Sequence, residues 1–169
     1  TVPDLASLQQ KLGVTFKQAS LLSQALVHSS FANENPGSHT SNERLEFLGD
    51  AVLGLITAEA LFRDFPHIDE GQMTKLRAYL VRQDTLAQVA NSIQLGEHLY
   101  LGKGEEASGG REKPANLARA LEAVIAAVYL DQGMKVTETM VLRILEPEFQ
   151  AAITEDVVTD YKSRLQEYL

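Results

Sequence analysis

Apolar residues recur at three- and four-residue intervals along almost the whole chain, the period of helices buried through one face. No stretch alternates at the period of two that strands require. The fold class this predicts is all-α. A short helix is expected over residues 3–12, stopped by Gly13, and a second over 17–28 with Leu21, Leu22, Ala25 and Leu26 on its apolar face. Residues 30–40, rich in Asn, Pro, Gly and Ser, read as a loop. Ser41 is the expected N-cap of a long helix running to about residue 63, broken by Phe65-Pro66. The next long helix starts at or beside Asp69 and passes through Leu76, Leu80, Leu86 and Val89. Residues 96–101 form a connector, and 102–114, with Gly102, Gly104, Gly109, Gly110 and Pro114, the most irregular stretch. Helices over 115–130 and 136–153 complete the pattern.

The helix after Ser41 breaks its own pattern. Glu43, Glu46 and Asp50 fall within about 60° of one another at 100° per residue, while Leu45, Leu48, Val52, Leu55 and Ile56 lie opposite. Residues 51–58 carry no charge, so the helix is expected to be buried on most of its circumference. Clustered acids on a buried helix are costly unless a cation compensates, and a divalent metal with its need for several carboxylate oxygens does so readily. A solvated helix start with acids at a groove edge accounts for the same spacing.

Composition narrows the partners. The absence of cysteine excludes disulfides, thiolate metal sites and cysteine nucleophiles. No apolar run approaches the roughly 18 residues of a membrane span and the N-terminus has no signal-peptide pattern, so a cytoplasmic protein without membrane partners is expected. A net charge of −8 is unusual for a chain that handles nucleic acid. It is compatible with RNA only if the acids gather at a metal site and the phosphate grip is supplied by bound metal, a second subunit or a further domain.

The string Asn42-Glu43-Arg44-Leu45-Glu46-Phe47-Leu48-Gly49-Asp50-Ala51-Val52-Leu53 resembles the signature motif of the ribonuclease III family of double-stranded-RNA endonucleases. The resemblance extends to residues 11–16, Ala25-Leu26-Val27-His28-Ser29-Ser30, Phe65-Pro66, Asp69-Glu70-Gly71, Leu121-Glu122-Ala123-Val124 and Tyr129-Leu130-Asp131, in the same order and at similar spacing. It implies the all-α endonuclease domain of that family in residues 1–153, assembled as a symmetric homodimer. Residues 160–169 resemble the start of a double-stranded-RNA-binding domain, leaving 154–159 as a linker.

The resemblance also assigns roles. Glu46 and Asp50, one helical turn apart, and Glu122 match metal-ligand positions, with Asp50 and Glu122 central to catalysis. Glu43 matches a residue associated with RNA contact, Glu70 an acid in the cleft, and Phe47 an aromatic that docks into a partner subunit. Magnesium is the implied metal, with manganese as a substitute, and no small-molecule cofactor is implied. One position departs from the pattern: Arg119 stands where the family usually has aspartate. A guanidinium ~5 Å from a divalent ion costs up to about 6–7 kcal/mol at an effective dielectric of about 20. Three dispositions follow: Arg119 turned out of the site, which is the favoured one; Arg119 paired with the acids in place of metal; or Arg119 as a contact to the scissile phosphate. Asn116 is a further candidate oxygen ligand. The four histidines show no metal spacing.

The expected function is metal-dependent hydrolysis of double-stranded RNA to 5′-phosphate and 3′-hydroxyl ends, in ribosomal-RNA precursor processing. Two rivals remain at this stage. One is an impaired family member that binds structured RNA without cutting. The other is an all-helical nucleotide pyrophosphohydrolase, which also uses helix-borne acids.

Overall fold

The computed structural model describes the backbone of residues 5–167 and the side chains of residues 5–155. Its helices are α1 (Leu5–Leu12), α2 (Ala19–Ala25), α3 (Ser29–Glu34), α4 (Glu43–Asp64), α5 (Glu70–Val81), α6 (Gln83–Ser92), α7 (Lys103–Ala107), α8 (Pro114–Gln132) and α9 (Met134–Glu167), with a 3₁₀ turn at Leu95–His98. Among the described residues there is no strand; a single bridge joins Val27 to Tyr100. The all-α expectation holds.

Helix α8 is the centre of the molecule. From Leu117 to Val128 all but Arg119 and Glu122 are buried. A helix apolar on nearly all sides has to be surrounded, and α2, α4, α6 and α9 all pack on it. Its alanines at 118, 120, 123, 126 and 127 let those neighbours come close. The most extensive of these contacts is with α4, so the two helices that carry the acids form the main axis of the core.

Several boundaries differ from the sequence reading. Residues 29–34 form α3 rather than loop, because the His28 ring accepts from the Ser30 N–H and so caps a helix that composition does not announce. The N-cap of α4 is Asn42, not Ser41, and its side chain is turned into the core, where Nδ2 donates to the Ala25 carbonyl at 3.0 Å. Asp69 starts α5 through a capping box with Gln72. The helix expected to run on through Val89 is broken at Arg82, whose backbone is extended (φ −69°, ψ 157°), giving separate α5 and α6. Residues 102–114 contain the short α7. Helix α9 continues through 154–159, where a linker was expected, and on to Glu167. The proposed junction with an RNA-binding fragment therefore falls within one helix, and the side chains of that fragment lie outside the described residues.

The expected burial of α4 is also corrected. Leu45, Val52, Leu53, Ile56, Ala60 and Leu61 are buried, yet Phe47 is 83% exposed, Phe62 75% and Leu55 54%. Leu55, assigned above to the apolar stripe opposite the acids, faces solvent. On the helix these three lie together with Ala51 and Ala58 in an arc of about 80°, directly beside the acidic row. The helix is thus buried on one side and carries an acidic row and an exposed apolar row on the other.

Candidate active site

The site is built on one crossing. Where α4 passes over α8, a Cβ on Gly49 would come within 1.7 Å of the Glu122 carbonyl oxygen and 2.5 Å of its carbon. Only glycine permits that approach. It seats Glu46 and Asp50, which flank Gly49, against Glu122, and the result is an open depression lined by Glu43, Glu46, Phe47, Asp50 and Glu122. Four acids separated by up to 79 positions in the sequence meet there because two helices touch at a residue without a side chain.

The electrostatics follow from that crowding. The Glu122 carboxyl is pushed up from 4.5 to about 8, first by burial, then by a hydrogen bond with Asp50 and by the charges of Asp50 and Glu46; Arg119 opposes the shift. Burial and the neighbouring acids thus favour the protonated form of Glu122. Glu46 is raised as well, again by burial first, with Arg119 lowering it and Glu43 and Asp50 raising it. Such a set binds protons for want of a better cation.

Arg119, three residues before Glu122 on α8, reaches back to α4. Its Nε lies 3.7 Å from Glu46 Oε1, an ion pair too long for a hydrogen bond, with the arginine side chain 62% and the glutamate 28% exposed. A pair this open contributes at most about 1 kcal/mol. The arginine expected to turn out of the site instead sits at its edge, beside one of the acids.

The donor set suits a hard divalent cation: carboxylate oxygens only, facing an accessible depression. The acids do not yet form a cage, and among the described residues no three acidic or imidazole groups are close enough to hold an ion unaided. Water completes such a shell for magnesium, which keeps several of its own.

Two expected participants lie elsewhere. Asn116 is not free to act as a ligand: its Nδ2 donates to Glu105 Oε1 and to the Gly110 carbonyl, both at 2.9 Å, and its Oδ1 is 3.1 Å from His28 Nε2. Since His28 Nδ1 accepts from the Ser30 N–H, its proton is on Nε2 and is donated to Asn116. This network, completed by Lys113 on Glu105 at 2.9 Å, fixes the start of α8 and so the height of Glu122. No histidine role was read from the sequence; the His28-Ser29-Ser30 string was the available signal. Glu70, the first residue of α5, does not reach the acidic depression within one chain. It borders a separate groove between α4 and α5, lined also by Leu55, Ala58, Phe62, Met73 and Arg77.

Comparison with known proteins agrees with this architecture. Residues 18–148 match the Ribonuclease-III-like family model. Ribonuclease 3 of Dehalococcoides mccartyi strain CBDB1 is 55% identical over 98% of this chain and 70% of its own length. Ribonuclease 3 of Treponema denticola is 46% identical over 97% of this chain and 67% of its own length. The nuclease domain of ribonuclease III from Campylobacter jejuni superposes with a TM-score of 0.81 at 44% identity, covering 87% of this chain and 99% of that one; its solvers describe structural flexibility in a region involved in dimer formation. Sequence and fold together define a helical nuclease. This chain belongs to the ribonuclease III family and is an endoribonuclease of that type. The pyrophosphohydrolase alternative falls away. Among the described residues no helix is long and apolar enough to cross a membrane.

Proposed function

We propose that this chain hydrolyses double-stranded RNA as a magnesium-dependent homodimer, leaving 5′-phosphate and 3′-hydroxyl ends, and that it acts in the cytoplasm on ribosomal-RNA precursors. The observation that carries this reading is the convergence of Glu46, Asp50 and Glu122 on one open depression. A bound divalent ion, magnesium or manganese, would supply an activated water and screen charge on the phosphate. The chain's own residues do the rest. Asp50 and Glu122 would hold the ion, with Glu122 giving up its proton as the ion enters. Glu46 sits one turn before Asp50, and Glu43 at the rim faces the passing strand. Because the chain is acidic, its hold on the duplex rests on shape and on few phosphate contacts.

The dimer reading rests on α4. Phe47 borders the acidic depression, and the α4–α5 groove holding Glu70 lies further along the same exposed row. A two-fold pairing of α4 rows would seat each Phe47 in the other copy's groove and leave two acidic depressions on one face. Exposed aromatics of this size mark an interface rather than a solvated surface.

The test is cleavage of a long RNA duplex in magnesium, with single-stranded RNA as control. The unmodified chain should cut the duplex, and Glu122→Gln should reduce the rate at least a hundredfold while still binding it. Equal cutting of single strands, or full activity in Glu122→Gln, overturns the proposal. The binding-only reading is favoured by one observation, the approach of Arg119 to Glu46; duplex binding without cutting by the unmodified chain would establish it.

A further inference from the structure

We propose that Arg119 takes the place of one cation in this site, so that each chain holds a single divalent ion between Asp50 and Glu122 while Glu46 stays with the guanidinium. The inference rests on the metal-dependent reading above. Its basis is that the acidic set is already divided in two. Asp50 and Glu122 line the depression together, brought side by side by the α4–α8 crossing at Gly49. Glu46, one turn earlier, faces Arg119 at 3.7 Å. The two partners of each pair come from opposite helices, so each pair spans the depression.

Charge leads to the same division. With all four carboxylates ionised, one guanidinium leaves three negative charges; one divalent ion neutralises two of them and leaves the third to the exposed Glu43 at the rim. A second ion near Glu46 would meet a like charge a few ångströms away with only the Glu46 carboxylate, already paired with that charge, to offset it. The other arginine and lysine pairs among the described residues involve Arg63 with Glu59, Asp64 and Glu138, Arg111 with Glu106, and Lys113 with Glu105, all outside the depression. Arg119 is therefore placed to balance Glu46, and its exposure lets the guanidinium move without disturbing the core.

The test uses Mn²⁺ as the probe, bound to the full chain without RNA, and reads stoichiometry and affinity by calorimetry and by the EPR signal of free Mn²⁺ at about 0.1 M salt. The unmodified chain should take one Mn²⁺. Asp50→Asn should weaken it at least tenfold, whereas Glu46→Gln should change it less than about threefold. Arg119→Asp should admit a second Mn²⁺, and in that background Glu46→Gln should then cost at least tenfold. Circular dichroism of each variant verifies folding. Two ions in the unmodified chain, no second ion in Arg119→Asp, or equal sensitivity to Glu46→Gln and Asp50→Asn overturns the inference and leaves the nuclease reading standing. Absence of any Mn²⁺ binding in both the unmodified chain and Arg119→Asp overturns the metal-dependent reading together with it.

Discussion

Gly49 and Glu122 meet backbone to backbone, with no room for a single methyl group between α4 and α8. That contact sets the distance between the two acid-bearing helices, and everything in the site is measured from it.

Replacing Gly49 by alanine forces the helices apart or tilts them. Overpacking of this kind costs typically 1–3 kcal/mol, and here the obstacle is main chain, which yields less readily than a side chain. Gly49→Ala is expected to lose about 3 kcal/mol or more by urea denaturation, with at least a tenfold loss of RNA cleavage in the fraction that remains folded.

The proton on Glu122 makes stability depend on pH. Between the ordinary value of 4.5 and about 8 the folded chain keeps a proton that the unfolded chain has released, so raising pH favours unfolding. The stabilisation is complete below about pH 4.5 and lost as pH rises through about 8. In EDTA, thermal scans should show Tm falling between pH 5 and 8 by more in the unmodified chain than in Glu122→Gln, which has no proton to lose.

Phe47→Ala removes the exposed aromatic that the dimer reading uses as an anchor. Such residues contribute about 2 kcal/mol or more when they fill a partner's pocket, and two-fold symmetry removes two of them at once. Sedimentation equilibrium should show the dimer dissociation constant raised at least a hundredfold, with the monomer's thermal stability little changed because the side chain touches no core.

Asn116→Leu tests the anchor of α8. The substitution strands the Gly110 carbonyl and the His28 N–H, and a buried polar group left without its partner costs about 1–3 kcal/mol. His28→Ala should destabilise similarly, and the double variant should cost less than the two added together, since both break one network. Chemical denaturation of the four proteins measures this directly.

The sequence was most informative where one helix carried its own signal. The start and end of α4 were placed within two residues, and Glu46, Asp50 and Glu122 were picked out before their meeting was visible. What escaped depends on contacts distant in sequence. Helix α3 exists because a histidine ring caps it, and the break at Arg82 leaves the hydrophobic period almost undisturbed. Leu55 and Phe62 look like core residues by type; only packing reveals that they stand exposed among the described residues. Arg119 shows the limit of reading charge from position: a long side chain settles among the acids it can reach, and spacing along a helix does not say which. Asn116 has an oxygen in plausible register, but three partners already occupy its amide.

The crossing at Gly49 also has a consequence for synthesis. Glu46 and Asp50 leave the ribosome more than seventy residues before Glu122, and α8 must emerge before the crossing can form. A nascent chain that ends short of α8 lacks Glu122 and has no floor beneath the acids of α4. The proposed cutting centre thus comes into being only after most of the domain has been made, which would keep an RNA-cleaving protein inert while it is still attached to the RNA machine that produces it.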